Sequence, residues 1–280
     1  NWSDAANTEI SWYGNDVGTP IGPLQDWTGE YPKPAFDSYS SYADFDYRRD
    51  SLYATVRWNL HDNVKLITGA NYSRVDTEGV RYGEAKNTET DKTVPFAGLT
   101  VDLNATYSAY ASYGEIFSEQ AQVDFDNRLI GPITGDSLEA GVKGEWYDGR
   151  LNASAALFKI NQDNLAEYAG YNPDTGLSYY RGEDATSDGV ELTVSGALTD
   201  IWQVFGGYTH LNITGDGGQD ARTYVPRDMF RLSTTVQIPQ VEGLRLGARL
   251  SWQGDIERAQ GELAFDGEEI ISRQQSYALL

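Results

Sequence analysis

Ser137-Leu-Glu-Ala-Gly-Val-Lys-Gly-Glu-Trp146 places Leu138, Ala140, Val142, Gly144 and Trp146 on one parity and Ser137, Glu139, Gly141, Lys143 and Glu145 on the other. Successive side chains of a β-strand point to opposite faces, so this run has one apolar face and one wetted face. The pattern returns in Leu52, Ala54, Val56, Trp58 and Leu60; in Val190, Leu192 and Val194; in Phe230, Leu232, Thr234, Val236 and Ile238; and in Leu244, Leu246, Ala248, Leu250 and Trp252. Two stretches are less clean. Residues 201–213 carry apolar side chains on both parities, and 150–160 adds Phe158 and Ile160 to its polar one.

Counting outward gives about ten complete strands, near 46–60, 63–76, 92–103, 105–117, 136–148, 150–160, 186–198, 201–213, 227–238 and 243–254, with an eleventh starting at Ser276. Each has the roughly 9–11 residues that a tilted strand needs to cross a bilayer. Their connections fall into two classes. His61-Asp62-Asn63, Leu103-Asn104, Asp148-Gly149, Thr199-Asp200 and 239–243 are tight, whereas 77–91, 118–135, 161–185, 214–226 and 255–275 are long. The two classes alternate strictly, which puts every tight turn on one rim, as in outer-membrane barrels with short periplasmic turns and long extracellular loops. Trp58, Trp146 and Trp202 each sit a few residues from a tight turn on the outward parity, as an interfacial aromatic girdle would. The plainer alternative is that these tryptophans fill a soluble β core. The expected fold is therefore all-β, part of a large antiparallel up-and-down transmembrane barrel.

Composition fits membrane passage by strands. The 280 residues contain no cysteine, which removes disulfides, thiol catalysis and zinc–thiolate sites. Mean hydropathy is −0.52 and no apolar run approaches the roughly 18 residues of a spanning helix. With 21 basic and 42 acidic side chains the net charge is −21, so a polyanion is repelled and no nucleic-acid partner is expected. Many carboxylates lie in the long connections, among them Glu78, Glu84, Glu89, Asp163, Glu167, Glu183 and Asp184. Acidic loops stay solvated; a sharper reading has them bind divalent cations, with Asp216-Gly-Gly-Gln-Asp220 the one segment oxygen-rich and flexible enough to offer calcium ligands. That segment lacks a full ligand spacing, and no resident metal or cofactor is expected.

Residues 1–45 differ from the rest. They are rich in Pro, Gly, Ser and aromatics and read as one long extracellular-type loop segment, with 46–280 the partial barrel. Asn1 is no initiator, nothing after it resembles an export signal, and the alternation that opens at Tyr277-Ala-Leu-Leu280 stops at once. The expectation is a piece of a longer protein that does not fold stably without detergent.

Several segments together resemble a known family. Tyr110-Ala-Ser-Tyr-Gly-Glu-Ile-Phe117, Thr134 through Trp146, Asp148 through Phe158, Asn161-Gln-Asp-Asn164, Asp188-Gly-Val-Glu-Leu192, Gly206-Gly-Tyr-Thr209 and Gly243-Leu-Arg-Leu-Gly247 are similar, in this order, to the barrel of TonB-dependent siderophore receptors of the ferric-hydroxamate, coprogen and pyoverdine branch. One departure is Phe117-Ser-Glu-Gln120, which lacks a proline that many relatives carry. The resemblance implies a 22-stranded barrel closed by an N-terminal plug, which imports a ferric siderophore with energy from the TonB complex. It also implies that the plug and the TonB-contacting segment lie outside this chain. Outer-membrane lipid is the implied surrounding, and iron enters only as cargo.

A ferric siderophore would be met by aromatic and cationic side chains high in the lumen, which stack on planar chelating groups and pair with oxygen-rich complexes. Candidates are Arg81 and Tyr82 in one connection, Tyr168, Tyr171, Tyr179, Tyr180 and Arg181 in a second, Arg222 and Tyr224 in a third, and Trp12, Trp27 and Tyr31 in the first segment. For each, loop packing is the competing role. The strongest cluster is 168–181. An enzyme is not expected: the only histidines are His61, in a tight turn, and His210, for which Asp216 is a conceivable orienting partner. A passive porin shares the strands and loops, and a soluble carbohydrate-binding β protein stands further off.

Overall fold

The computed structural model describes residues 2–14, 36–81, 84–85, 87–262 and 269–280. All regular structure among them is β. The strands are β1 (Trp2–Gly14), β2 (Phe36–His61), β3 (Val64–Arg81), β4 (Glu84–Ala85), β5 (Thr88–Asp102), β6 (Tyr107–Ser118), β7 (Ile133–Trp146), β8 (Leu151–Asn172), β9 (Leu177–Thr199), β10 (Trp202–Gly215), β11 (Asp228–Gln237), β12 (Arg245–Gln253), β13 (Ile256–Glu262), β14 (Glu269–Gln274) and β15 (Tyr277–Leu279).

The chain divides into two compact units, Asn1–Tyr53 with Asn71–Thr93, and Ala54–Ala70 with Val94–Leu280. In the first, β1 pairs antiparallel with β2 from Trp2↔Asp50 to Gly14↔Phe36, and Val80-Arg81 of β3 pairs with β4. The segment 1–45, read from sequence as a loop, thus contains a strand and the first part of another. Its pattern hid them, because Pro, Gly and Ser suppress the β signal that backbone pairing can still supply. Arg49 and Ser51 both reach the buried Ser73 hydroxyl, at 3.2 and 3.1 Å.

In the second unit the strands follow chain order in one antiparallel sheet: the ends of β2, β3 and β5, then β6 through β12, then β15. The register aligns the apolar parities across it. Ala109 faces Val142, Val142 faces Ala155, Ala155 faces Leu192, and Leu192 faces Tyr208; Gly206 faces Leu232 and Leu232 faces Leu250. This face is no soluble core, since Leu157 is 67% exposed, Leu246 57% and Leu138 50%. A continuous uncovered apolar band of this kind belongs against lipid.

Trp58, Tyr107, Trp146 and Trp202 line the tight-turn edge of that band; the Trp146 and Tyr107 rings meet edge to face at 5.8 Å. Register adds a second aromatic row that single strands did not reveal. Tyr113, Tyr208, Phe230 and Trp252 lie on the same face, with Tyr208 opposite Phe230 and Phe230 opposite Trp252. From Trp202 to Tyr208 is six residues, or roughly 20 Å of strand. The two rows bracket the apolar band as interfacial girdles do.

The tight turns match the sequence reading in place but vary in build. Asp148-Gly149 suggests a two-residue hairpin; instead Tyr147, Asp148 and Gly149 all take positive φ (57°, 55° and 83°) in a turn over 147–150. The Arg150 amide and Nε both donate to the Tyr147 carbonyl, at 3.3 and 3.2 Å, closing the wider turn.

Candidate functional site

The long connections are not free loops. β8 and β9 run on past the apolar band as a paired hairpin, from Asn161↔Thr186 up to Asn172↔Leu177. Asn172-Pro-Asp-Thr-Gly176 closes it: the Gly176 amide donates to the Asn172 carbonyl at 2.9 Å, the Asp174 amide to Asn172 Oδ1 at 2.9 Å, and Gly176 takes the left-handed φ of 71°. Proline, asparagine and glycine at these positions are what such a turn requires. The connection between β12 and β15 carries its own hairpin, β13 with β14.

Two polar side chains hold residues 119–132 against this hairpin. Gln120 Nε2 donates to the carbonyls of Gly131 (2.8 Å) and Asn164 (2.5 Å), while its Oε1 accepts from the Ala166 amide (3.0 Å). Asn164 Nδ2 donates to the carbonyls of Ile130 and Pro132, both at 3.1 Å. Asn164 sits at a bulge in β8 with φ 61°, and a Cβ on Gly182 would come 2.0 Å from its Oδ1, so Gly182 makes room for the bridge. Above it, the Phe125 and Tyr179 rings meet edge to face at 5.1 Å, Asn172 Nδ2 donates to the Phe125 carbonyl, and the Tyr180 amide to that of Val123.

Residues 216–227 close on the hairpin from the other side. Arg222 Nε donates to Glu167 Oε1 at 2.8 Å and its Nη1 to Gln162 Oε1 at 3.3 Å, and the Tyr224 hydroxyl shares Glu167 Oε1 at 3.3 Å. The Arg222 side chain is only 11% exposed and that of Glu167 25%, so the pair is shielded from water. Thr223 and Glu257 exchange bonds in both directions, and the Arg258 guanidinium lies 5.5 Å from the Tyr224 ring centre. Burial, then the Glu167 carboxylate, hold the Tyr224 hydroxyl above its ordinary pKa.

The sequence-predicted residues separate. Register carries Tyr179 and Arg181 of β9 onto the parity of Glu191, the polar face, and Tyr180 onto that of Leu192, where its ring meets Tyr168 at 6.1 Å. Tyr171, opposite Ser178, follows Tyr180. The cluster 168–181 is thus two half-clusters on opposite sides of one hairpin. Arg181 pairs with Glu183 and stays exposed. Arg222 and Tyr224 come together through Glu167. Trp12 lies in β1 opposite Tyr39 and Arg81 ends β3, both in the other unit; Trp27, Tyr31 and Tyr82 lie outside the described residues. Reading the sequence missed Gln120, Phe125, Gln162, Asn164 and Glu167, whose partners are up to 60 residues away and leave no local signal.

Other expectations resolve differently. His210 Nδ1 is 2.8 Å from Asp228, not joined to Asp216, and Asp228 also accepts from the Tyr208 hydroxyl at 2.7 Å. Register made this partnership, placing His210 directly opposite Asp228. Residues 216–220 form a compact turn, and among the described residues no three His, Cys, Asp or Glu side chains stand close enough to share a metal.

The whole chain, residues 1–280, matches the family model described as TonB dependent receptor-like, beta-barrel. The chain belongs to that family. Receptors of this family are outer-membrane proteins of Gram-negative bacteria, and this chain is a part of such a barrel. It is 36% identical over 236 residues to the ferripyoverdine receptor of Pseudomonas aeruginosa, covering 81% of this chain and 29% of that receptor. The solved structure of the Pseudomonas aeruginosa outer-membrane ferripyoverdine receptor bound to ferripyoverdine superposes with a TM-score of 0.80 at 29% identity, over 99% of this chain and 39% of that one. The FpvAI–pyocin S2 complex gives 0.75 at 32% identity, over 90% and 33%. The chain therefore spans about a third of the length of the relatives it matches.

Proposed function

We propose that the full-length protein is an outer-membrane receptor that captures a ferric siderophore of the pyoverdine class and imports it with energy from the TonB complex. The observation that carries this is 36% identity to a ferripyoverdine receptor in a chain whose outer connections fold into an ordered ledge. A mobile fringe could not hold a bulky complex in one pose; tied loops limit the ordering cost of binding. On the polar side of the ledge, Tyr179 and Arg181 supply a ring and an exposed guanidinium, while Arg222 and Tyr224 fix the shape of the neighbouring loop. Tyr168, Tyr171 and Tyr180 present aromatic surface on the other side. Trp12, Trp27, Tyr31, Arg81 and Tyr82 remain candidate cargo contacts. Aromatic faces and guanidinium groups suit a planar chromophore and an oxygen-rich iron complex.

The test is iron uptake. The full-length gene, expressed in cells lacking their own pyoverdine receptors, is expected to restore import of radioactive iron as ferripyoverdine, and loss of TonB to abolish it. Import that survives TonB deletion would favour a passive porin. No binding and no import would overturn the reading.

A further inference from the structure

In a chain with twice as many acids as bases, six cations of the second unit have a carboxylate: Lys65 has Asp102, Arg128 has Asp126, Arg150 has Asp200, Arg181 has Glu183, Arg222 has Glu167 and Arg273 has Glu257. β11 and β12 gather three that have none on one face. Their polar face presents Arg231, Ser233, Thr235 and Gln237 against Arg245, Gly247, Arg249 and Ser251, with no carboxylate in either set. Arg231, Arg245 and Arg249 are exposed, and among the described residues none of them has an ion-pair partner.

Register sets their heights. Arg231 lies opposite Ser251 near the ledge, Arg249 lies opposite Ser233, and Arg245 lies opposite Gln237 by the tight turn. The three therefore descend the wall in steps of two and four residues, about 7 Å and 13 Å along the strands. The series begins at the ledge: Arg227, one residue before β11, donates from Nη2 to the Ala221 carbonyl at 2.6 Å, while its buried Nη1 has no partner among the described residues. Below the ledge, β7 and β9 carry more acid than base on the same polar face, with Glu139, Glu145 and Glu191 against Lys143 alone.

We infer that Arg231, Arg249 and Arg245 form a descending cationic track that an anionic, oxygen-rich ferric complex follows from the ledge toward the periplasmic rim. This rests on the proposed siderophore uptake and adds a route and a charge preference to it. A guanidinium donates a planar fork to carboxylate oxygens, and its flexible stem lets it hand a group on without trapping it. Acids across the face disfavour the same complex, so the field directs it along β11 and β12.

The experiment uses the full-length receptor in cells, with ferripyoverdine bearing a free carboxylate and the same complex with that carboxylate converted to an amide. R231Q/R249Q/R245Q is expected to slow import of the carboxylate form about tenfold, to leave import of the amide within about twofold, and to leave binding at the cell surface unchanged. The triple lysine variant keeps the charge and should retain most of the import. Heat-modifiable gel mobility checks that each variant is folded. Equal slowing of both complexes would overturn the track, because the arginines would then hold a lumen-filling segment of the receptor and not the cargo. Unchanged import of both would also overturn it. An unmutated receptor that neither binds nor imports ferripyoverdine would instead sink the uptake reading, and the track with it.

Discussion

The wall of the sheet and the ledge above it are continuous along the same strands, β8 and β9, yet different forces hold them. In the wall, every second side chain faces lipid and the backbone ladder does the rest: Leu157, Leu192 and Val194 need no specific partner beyond an apolar surrounding. In the ledge, water surrounds the hairpin, so burial is scarce and single amides and ion pairs replace it: Gln120, Asn164 and Arg222 each join segments more than 30 residues apart. The wall tolerates many sequences of one period. The ledge depends on a few residues of particular shape.

The largest expected effect tests the wall. Leu192→Arg puts a charge on the lipid face near mid-strand and should cost about 2–4 kcal/mol, whereas Thr193→Arg, one residue on and facing the polar side, should cost well under 1 kcal/mol. Urea or guanidinium unfolding of the full-length receptor in lipid vesicles measures both. Equal costs would mean that the two faces are wrongly assigned.

Next comes the ledge. Asn164→Ala removes both bonds to the Ile130 and Pro132 carbonyls and puts alanine at φ 61°, for a local loss of about 2–3 kcal/mol. Residues 119–132 should become sensitive to proteinase K on intact cells and ferripyoverdine affinity should fall, while heat-modifiable mobility of the barrel stays unchanged. Asn164→Gly, which relieves the backbone strain only, should lie between the two. A barrel that melts with the ledge would show that wall and ledge are one cooperative unit.

This contrast explains what the sequence disclosed. The wall follows a period-2 rule that each strand states by itself, so Ser137–Trp146 and 244–252 sufficed to place the tight-turn ends of the strands within a few residues, while the outer ends of β2, β8 and β9 run on well past the expected 46, 160 and 186. The second aromatic row was harder, because Tyr113, Tyr208, Phe230 and Trp252 become neighbours only once register is known. The ledge was hardest. Tyr168, Tyr179, Tyr180 and Arg181 were visible as a cluster in sequence, but the bulges at 163–164 and 169 decide which face each one joins. Glu167 was visible only as one acid among many, although Arg222 and Tyr224 both depend on it.

A smaller effect follows from that carboxylate. Glu167→Gln leaves the shielded Arg222 without its counter-charge while keeping the shape, and should loosen 216–227 by about 1–2 kcal/mol. Because the loop runs directly into β11, hydrogen exchange in residues 216–227 of the full-length receptor should rise several-fold while β7 stays protected. Unchanged exchange would show that the Thr223–Glu257 bonds alone hold the loop.

The smallest expected effect is a pH dependence of the same loop. Burial raises the Tyr224 pKa first, the Glu167 carboxylate raises it second, and Arg222 and Arg258 pull it back in part. A group whose folded pKa is raised binds its proton more tightly folded than unfolded. Its contribution is therefore whole below the ordinary tyrosine value near 10 and is lost as pH rises through the folded value. Ionisation would set a phenolate beside Glu167 and remove the hydroxyl hydrogen that the carboxylate accepts. Proteinase K cleavage within 216–220 should thus stay flat from pH 8 to just below 10 and climb above it, and Tyr224→Phe, with no proton to lose, should show no such climb. Because Tyr224 is 40% exposed, solvent screens much of the repulsion and the rise should be modest. A climb of equal size in the phenylalanine variant would assign the pH dependence to another group, and would leave Arg222 as the tie between this loop and Glu167.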